Sequence, residues 1–302
     1  MSTYVVTGAT GNTGKPISLG LLAAGHTVRI LGRNADKAKD LTGKGAVLFA
    51  GESRDAGLLA RAFEGADAAY LMVPMDIQAP DYTAMQVAHA TAMAEAARKT
   101  GLARAVTLSS VGAHLPEGAG VVQGLQRMEA ILNGVDGLSL LHLRPTYFLE
   151  NTLAQVGAVI HSGGMASPVR GDLPIPMVAT RDIAAYGLKR LRALDFTGRS
   201  VRYLLGAAEY TYEEVARVFG QAIGKPGLAY HQIPYEQAKP VLMSLGLGES
   251  AADRLNEFAR ALNEGRVLSA HVRDSESTTP TTLEDFAHVF KAVYTAQGGK
   301  VA

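Results

Sequence analysis

Tyr4-Val-Val-Thr-Gly-Ala-Thr-Gly-Asn-Thr-Gly14 is the stretch whose reading decides the fold. A short apolar run, Tyr4 to Val6, breaks into glycines at Gly8, Gly11 and Gly14. Lys15-Pro16 follows, and then apolar residues at helical spacing: Ile17, Leu19, Leu21 and Leu22. Strand, glycine-rich turn, helix is the context that a dinucleotide-binding fingerprint requires. Gly8 lets the chain turn where a Cβ would clash, Gly11 lets backbone approach a pyrophosphate, and Gly14 lets the helix pack closely on the strand. The first-turn N–H groups of that helix then point at the phosphates. Pro16 sits near the helix start, where a missing donor costs nothing. The same glycines would also serve a purely structural turn; the strand before them and the helix after them favour binding.

Outward from this loop, the chain keeps alternating. Strands are expected at 27–31, 46–50, 68–73, 105–109 and 138–143, with helices over 35–41, 58–63, 82–99 and around 128–132. Continuous apolar strands separated by helices predict a doubly wound parallel sheet, an α/β fold of the Rossmann kind. Ligands of such sheets sit outside the strand C-termini. The candidate site therefore collects Gly8 to Gly14, Arg33, Glu52, Val73 to Met75, Ser109 to Gly112 and Pro145 to Asn151. The second strand ends in Gly32-Arg33 with Lys37 a helical turn later, and no acid closes the strand. Two cations suit the 2′-phosphate of NADP(H), although Arg33 also reads as a solvated loop charge and Asp36 lies close by.

Beyond Asn151 the alternation fails, and a smaller C-terminal α+β lobe is expected. A helix over 152–160, a Gly/Pro-rich loop from Gly163 to Pro176, a helix from Ala179 to Leu191 and a strand over 201–205 come first. Thr211-x-x-Glu214 and Thr281-x-x-Glu284 both read as capping boxes, and 268–279 as an exposed connection. The expected division is a dinucleotide-binding domain over 1–153, with 177–208 returning to it, and a substrate or partner lobe over 154–302.

Composition narrows the classes. Lys plus Arg number 29 against 28 Asp plus Glu, a net charge of +1 over 302 residues, so no field for direct nucleic-acid binding is implied. Cysteine is absent, which excludes thiolate metal sites and cysteine catalysis. Eight scattered histidines show no metal-ligand spacing, so no metal is expected. No apolar stretch reaches membrane-span length, and the expectation is a soluble, cytoplasmic protein.

Thr7-Gly-Ala-Thr-Gly-Asn-Thr-Gly14, Arg33-Asn34, Leu108-Ser-Ser110, Leu143-Arg-Pro-Thr-Tyr-Phe-Leu-Glu-Asn151 and Arg181-Asp-Ile183 together resemble the NmrA-like group of atypical short-chain dehydrogenases. The resemblance covers nearly the whole chain. It implies NAD(P) in the N-terminal fold and either of two functions. One is hydride transfer to a quinone, azo compound or other conjugated small molecule; the other is a non-catalytic redox sensor or transcriptional co-regulator with a protein partner. A homodimer is compatible with either. Carried over by position, Gly8, Thr10, Gly11, Asn12, Thr13 and Gly14 would hold the pyrophosphate. Arg33 and Lys37 would hold the 2′-phosphate, and Glu52 and Ser53 would flank the adenine. Val73, Pro74, Ser109, Pro145, Tyr147 and Phe148 would lie on the nicotinamide side.

One departure matters. Short-chain dehydrogenases typically pair a serine with Tyr-x-x-x-Lys, the lysine lowering the tyrosine pKa. Between Ser110 and Arg144 this chain has neither tyrosine nor lysine, and the helix where they belong reads Gln123-Gly-Leu-Gln-Arg-Met-Glu129. Tyr235-Glu-Gln-Ala-Lys239 has the spacing but falls in the C-terminal lobe. The remaining candidates for chemistry are Ser110, Tyr147 and His114. Ser110 could equally satisfy local backbone, Tyr147 and Phe148 could be core, and His114 an ordinary loop histidine.

Overall fold

A computed structural model describes residues 1–301. The N-terminal part alternates β1 (Thr3–Val6), α1 (Gly14–Ala23), β2 (Thr27–Gly32), α2 (Ala35–Thr42), β3 (Val47–Ala50), α3 (Ala56–Phe63), β4 (Ala68–Leu71), α4 (Tyr82–Thr100), β5 (Arg104–Leu108), α5 (Gln123–Asn133) and β6 (Ser139–Pro145). Then come β7 (Tyr147–Phe148), α6 (Val156–His161), β8 (Gly164–Ser167), β9 (Ile175–Val178), α7 (Thr180–Ala193) and β10 (Arg199–Leu204). The chain closes with β11 (Glu209–Tyr210), α8 (Tyr212–Ala222), β12 (Ala229–Gln232), α9 (Tyr235–Ser244), α10 (Glu249–Asn263) and α11 (Leu283–Ala296).

One sheet of 7 strands runs β10-β6-β5-β4-β1-β2-β3, and each neighbouring pair is parallel. Successive side chains of a strand point to opposite faces, and two layers follow directly from that. Val5, Ala69, Leu71, Ala105 and Leu140 pack with Leu59 and Phe63 of α3, Met93 of α4 and Leu132 of α5. Tyr4, Val6, Tyr70, Val106 and Leu141 pack on the other side with Ile17 and Leu21 of α1 and Ile183 and Leu191 of α7. This explains why β1 and β4 read as unbroken apolar runs: both of their faces are covered. Strand order reverses at β1, which opens a crevice beside β4 at the C-terminal edge.

The C-terminal lobe has its own core. Leu149, Met165, Ile175, Met177, Val215, Leu262 and Phe286 surround Phe219, which stacks on Phe290 with ring centroids 4.2 Å apart. Two expectations change here. The Gly163 to Pro176 segment contains β8, which pairs with β12, and the start of β9, so it is not simply a loop. Both strands are too short for periodicity to show. The last capping box is formed by Thr282 and Asp285, one residue later than Thr281 and Glu284. Thr281 is committed elsewhere: its amide and hydroxyl donate to the Asp182 carboxylate at 3.0 and 2.9 Å. The Thr211–Glu214 box forms as the spacing requires. The 152–160 helix begins as a 3-10 turn, Leu149–Gln155, before becoming α6.

Ala179 precedes α7 and has no side-chain acceptor. Glu150 supplies one instead, accepting from the Thr180 amide at 3.0 Å and the Thr180 hydroxyl at 2.6 Å. That bond ties the segment after β7 to the helix that covers the sheet. Among the described residues no helix is long and apolar enough to cross a membrane, and no group of three or more His, Cys, Asp or Glu could hold a metal.

Candidate active site

Parallel strands deliver their following loops to one edge, and the candidate residues gather there. Gly8 to Gly14 follow β1, Arg33 follows β2, Glu52 and Ser53 follow β3, Val73 and Pro74 follow β4, and Ser109 and Ser110 follow β5. Pro145 ends β6, and Tyr147 and Phe148 form β7. Lys37 lies in the first turn of α2, its amide donating to the Asn34 side chain at 3.1 Å. His114 stands further along the loop after β5.

The glycine loop is shaped by close approach. Gly8 has φ +62°, and a Cβ there would lie 2.0 Å from the Met72 sulfur. A Cβ on Gly14 would lie 2.3 Å from the Gly8 carbonyl oxygen. Gly11 is exposed, and its amide donates to that same oxygen at 3.0 Å. Thr10 and Asn12 are exposed at the turn, whereas Thr13 is buried and accepts a hydrogen bond from the Tyr70 hydroxyl at 3.1 Å. The first helical bonds are donated by Lys15 to Gly11 and by Ile17 to Thr13, so the amides of residues 12–14 precede them. Orphan donors at a helix N-terminus suit an anion. The close approach of Gly14 to the Gly8 carbonyl keeps the loop compact, a shape that fits a pyrophosphate.

At the ends of β2 and β3, the Arg33 side chain is three-quarters exposed and stands 3.9 Å from the Glu52 carboxylate. Asp36 pairs with Lys39 at 2.8 Å. Ser53 is hydrogen-bonded to Nδ1 of the buried His89 at 3.0 Å.

The opposite end of the edge holds a network that composition does not reveal. Glu129, 5% exposed, accepts from Arg144 Nε at 2.9 Å and Nη2 at 2.6 Å, and from the Ser109 hydroxyl. Arg144 Nη1 also donates to the Tyr203 hydroxyl at 3.0 Å. Burial works against the Arg144 charge, but the Glu129 hydrogen bonds and field outweigh it and raise its pKa. Ser109 is therefore buried and engaged through its side chain, while Ser110 is the half-exposed serine of the pair. Gln123 heads α5, its side-chain Nε2 donating to the Pro116 carbonyl at 2.8 Å. The helix that carries Tyr and Lys in related folds carries a brace and a buried ion pair here.

The other two candidates for chemistry, unlike Ser110, are partnered through their side chains. Burial raises the Tyr147 pKa, and its hydroxyl shares a 2.5 Å hydrogen bond with Tyr212, whose ring stacks on Tyr230. His114 Nε2 meets the Ser269 hydroxyl at 3.1 Å. Burial lowers the His114 pKa; a hydrogen bond to the Arg266 backbone opposes it, and the charges of Arg144 and His271 add to it. Phe148 packs with the sheet core that includes Tyr70 and Leu143. The Tyr235–Lys239 spacing is not a catalytic pair: Tyr235 accepts from Asn263 at 2.7 Å, and Lys239 pairs with Glu249 and Asp253 at 3.0 and 2.8 Å.

Comparison with known proteins agrees with this architecture. The NAD(P)H azoreductase of Xenophilus azovorans is 27% identical over 294 residues, 97% of this chain and 99% of the azoreductase. The NADPH-dependent quinone oxidoreductase of Escherichia coli, solved with NADPH, matches with a TM-score of 0.80 at 22% identity, covering 95% of this chain and 99% of that one. NmrA, a negative transcriptional regulator solved with NADP, matches with a TM-score of 0.77 at 18% identity over 98% of each chain. At these identities the two structures speak for the fold. The NmrA-like family model matches residues 1–287, and the chain belongs to that family.

Proposed function

We propose that this protein is an NADPH-dependent reductase of quinone-like, azo or other conjugated small molecules. The observation that carries the reading is the glycine loop, closed so tightly that a Cβ at Gly14 would clash with its backbone, set beside a cationic β2 end with no strand-terminal acid. Azoreductase and quinone oxidoreductase relatives of similar length support it. NADPH would supply a hydride when bound. Gly8 to Gly14 hold its pyrophosphate with backbone amides and the α1 N-terminus, while Arg33 and Lys37 take the 2′-phosphate. Val73, Pro74, Tyr147 and Phe148 shape the nicotinamide and acceptor side, and Ser110 offers a hydroxyl to an acceptor oxygen. A half-exposed serine is the modest polar help that a conjugated acceptor needs. Its reduced form draws a proton from water, so no phenol of lowered pKa is required. Residues 1–153 with 177–208 serve as the dinucleotide domain, and 154–302 as the lobe beside it.

The test is coenzyme oxidation with a panel of quinones, azo dyes and enones. Turnover above background with at least one class is expected, and none with any of them counts against catalysis. Arg33→Gln is expected to weaken NADPH about tenfold and to leave NADH within twofold. Equal losses in a binding titration would refute the 2′-phosphate role.

A second reading rests on a specific observation: Gln123 and Glu129 occupy the helix where Tyr and Lys belong, and the Tyr147 phenol is held by Tyr212. In that reading the chain is an NAD(P)-sensing regulator with a protein partner. Capture of that partner should then change with the NADPH/NADP ratio, and insensitivity to the ratio argues for the enzyme.

A further inference from the structure

Two guanidinium groups share one carboxylate beside β2 and β3. Glu52 accepts from Arg54 through one oxygen, and its other oxygen stands 3.9 Å from Arg33 Nη1. The backbone keeps this arrangement in register, because the Gly51 amide donates to the Gly32 carbonyl at 3.2 Å and joins the ends of the two strands. The segment is anchored from below. Ser53, between Glu52 and Arg54, is hydrogen-bonded to the buried His89 of α4 at 3.0 Å. The side chains themselves are open, Arg33 being 75% and Arg54 61% exposed.

Charge decides what such a group is suited to hold. Arg33, Lys37 and Arg54 bring three positive charges to this corner, and Glu52 returns one negative charge. Asp36 is engaged by Lys39 and does not alter the balance. The surplus of two matches a phosphate monoester, which carries roughly −1.5 to −2 near neutral pH and presents three acceptor oxygens. A carboxylate offers one charge and two oxygens. Exposed ion pairs are weak, about 0–1 kcal/mol, so Glu52 can release Arg54 to a stronger acceptor without loss of fold.

We propose that Arg54 is a second guanidinium for the coenzyme's 2′-phosphate, and that Glu52, which stands between it and Arg33, sets how strongly the chain prefers NADP(H) over NAD(H). The proposal rests on the coenzyme reading above and deepens it. When a dinucleotide lacks the 2′-phosphate, Arg54 keeps Glu52 and contributes nothing. When the phosphate is present, it replaces the carboxylate as the partner of both arginines, and Glu52 remains nearby as a repelling charge. Affinity for the phosphorylated coenzyme should therefore fall on removing Arg54 and rise on removing the Glu52 charge.

The experiment is calorimetric titration of the full chain with NADPH, NADH and adenosine 2′,5′-bisphosphate, for the native protein, Arg54→Gln and Glu52→Gln. R54Q should lose about tenfold in affinity for NADPH and the bisphosphate and stay within twofold for NADH. E52Q should gain about threefold for NADPH relative to NADH. The NADPH affinity of the native protein should also fall more steeply with salt than its NADH affinity. R54Q with its NADPH/NADH ratio unchanged overturns the role of Arg54. E52Q that weakens both coenzymes alike overturns the role of Glu52 and places its carboxylate on the adenosine. A native chain that binds none of the three overturns the coenzyme reading itself, and this proposal with it.

Discussion

Gly14→Ala is expected to remove dinucleotide binding while the chain still folds. The added Cβ would lie 2.3 Å from the Gly8 carbonyl oxygen, 2.8 Å from its carbon and 2.9 Å from the Ala9 Cα. All three are backbone atoms, so no rotamer change relieves the clash; the first turn of α1 must move away from the loop. Overpacking of this kind costs about 1–3 kcal/mol in stability. Coenzyme affinity should fall on the order of 100-fold, because the first-turn amides move off the phosphates. Gly8→Ala fails differently. Its nearest neighbour is the Met72 side chain, which can swing aside, but φ +62° leaves a strain of about 1–2 kcal/mol. Gly157→Ala is the control: it lies in α6 with nothing within 4 Å of the new carbon, and should stabilise by about 0.5–1 kcal/mol. NADPH titrations and thermal melts of the three variants give the answer. A G14A protein that binds NADPH within threefold of the native one would show that the loop does not cradle a phosphate.

The parallel sheet was legible because its evidence is local and repeated. Val5 between Tyr4 and Val6, and Tyr70 between Ala69 and Leu71, are buried whichever way they point, so each strand appears as an unbroken apolar run. Once the strands were placed, topology alone brought Gly8, Arg33, Glu52, Val73, Ser110 and Tyr147 to one edge, although they lie up to half the chain apart. Partnership between distant polar groups was not legible. Thr281 and Thr282 both precede acids at the capping distance, and only the fold places Asp182 against Thr281 and leaves Thr282 to cap. Nothing within a helical turn of Tyr147 shows that Tyr212 holds its hydroxyl. Nothing local to Arg54 shows that β2 and β3 set Glu52 between it and Arg33. Glu129 sits between buried Met128 and Leu132 on α5; an acid on the buried face of a helix was the one available signal that a cation had to meet it.

That cation is Arg144, and its removal should have the largest effect on stability. Arg144→Leu leaves the Glu129 carboxylate 5% exposed with only the Ser109 hydroxyl as partner. Breaking a buried pair from one side costs about 3–5 kcal/mol, because the remaining charge is uncompensated. Chemical denaturation should therefore show R144L far below the native protein at pH 8. The double variant Glu129→Leu, Arg144→Leu removes both charges and should recover most of the loss, since apolar replacement of a whole buried pair is often neutral. If R144L lies within about 1 kcal/mol of the native protein at pH 8, water reaches the pair and the network is not a buried one. Coenzyme oxidation by the double variant then separates scaffold from chemistry. NADPH binding should survive, because the glycine loop is anchored on β1 and α1. A loss of acceptor turnover alone would mean that the pair acts by holding the Ser109–Ser110 corner against the acceptor.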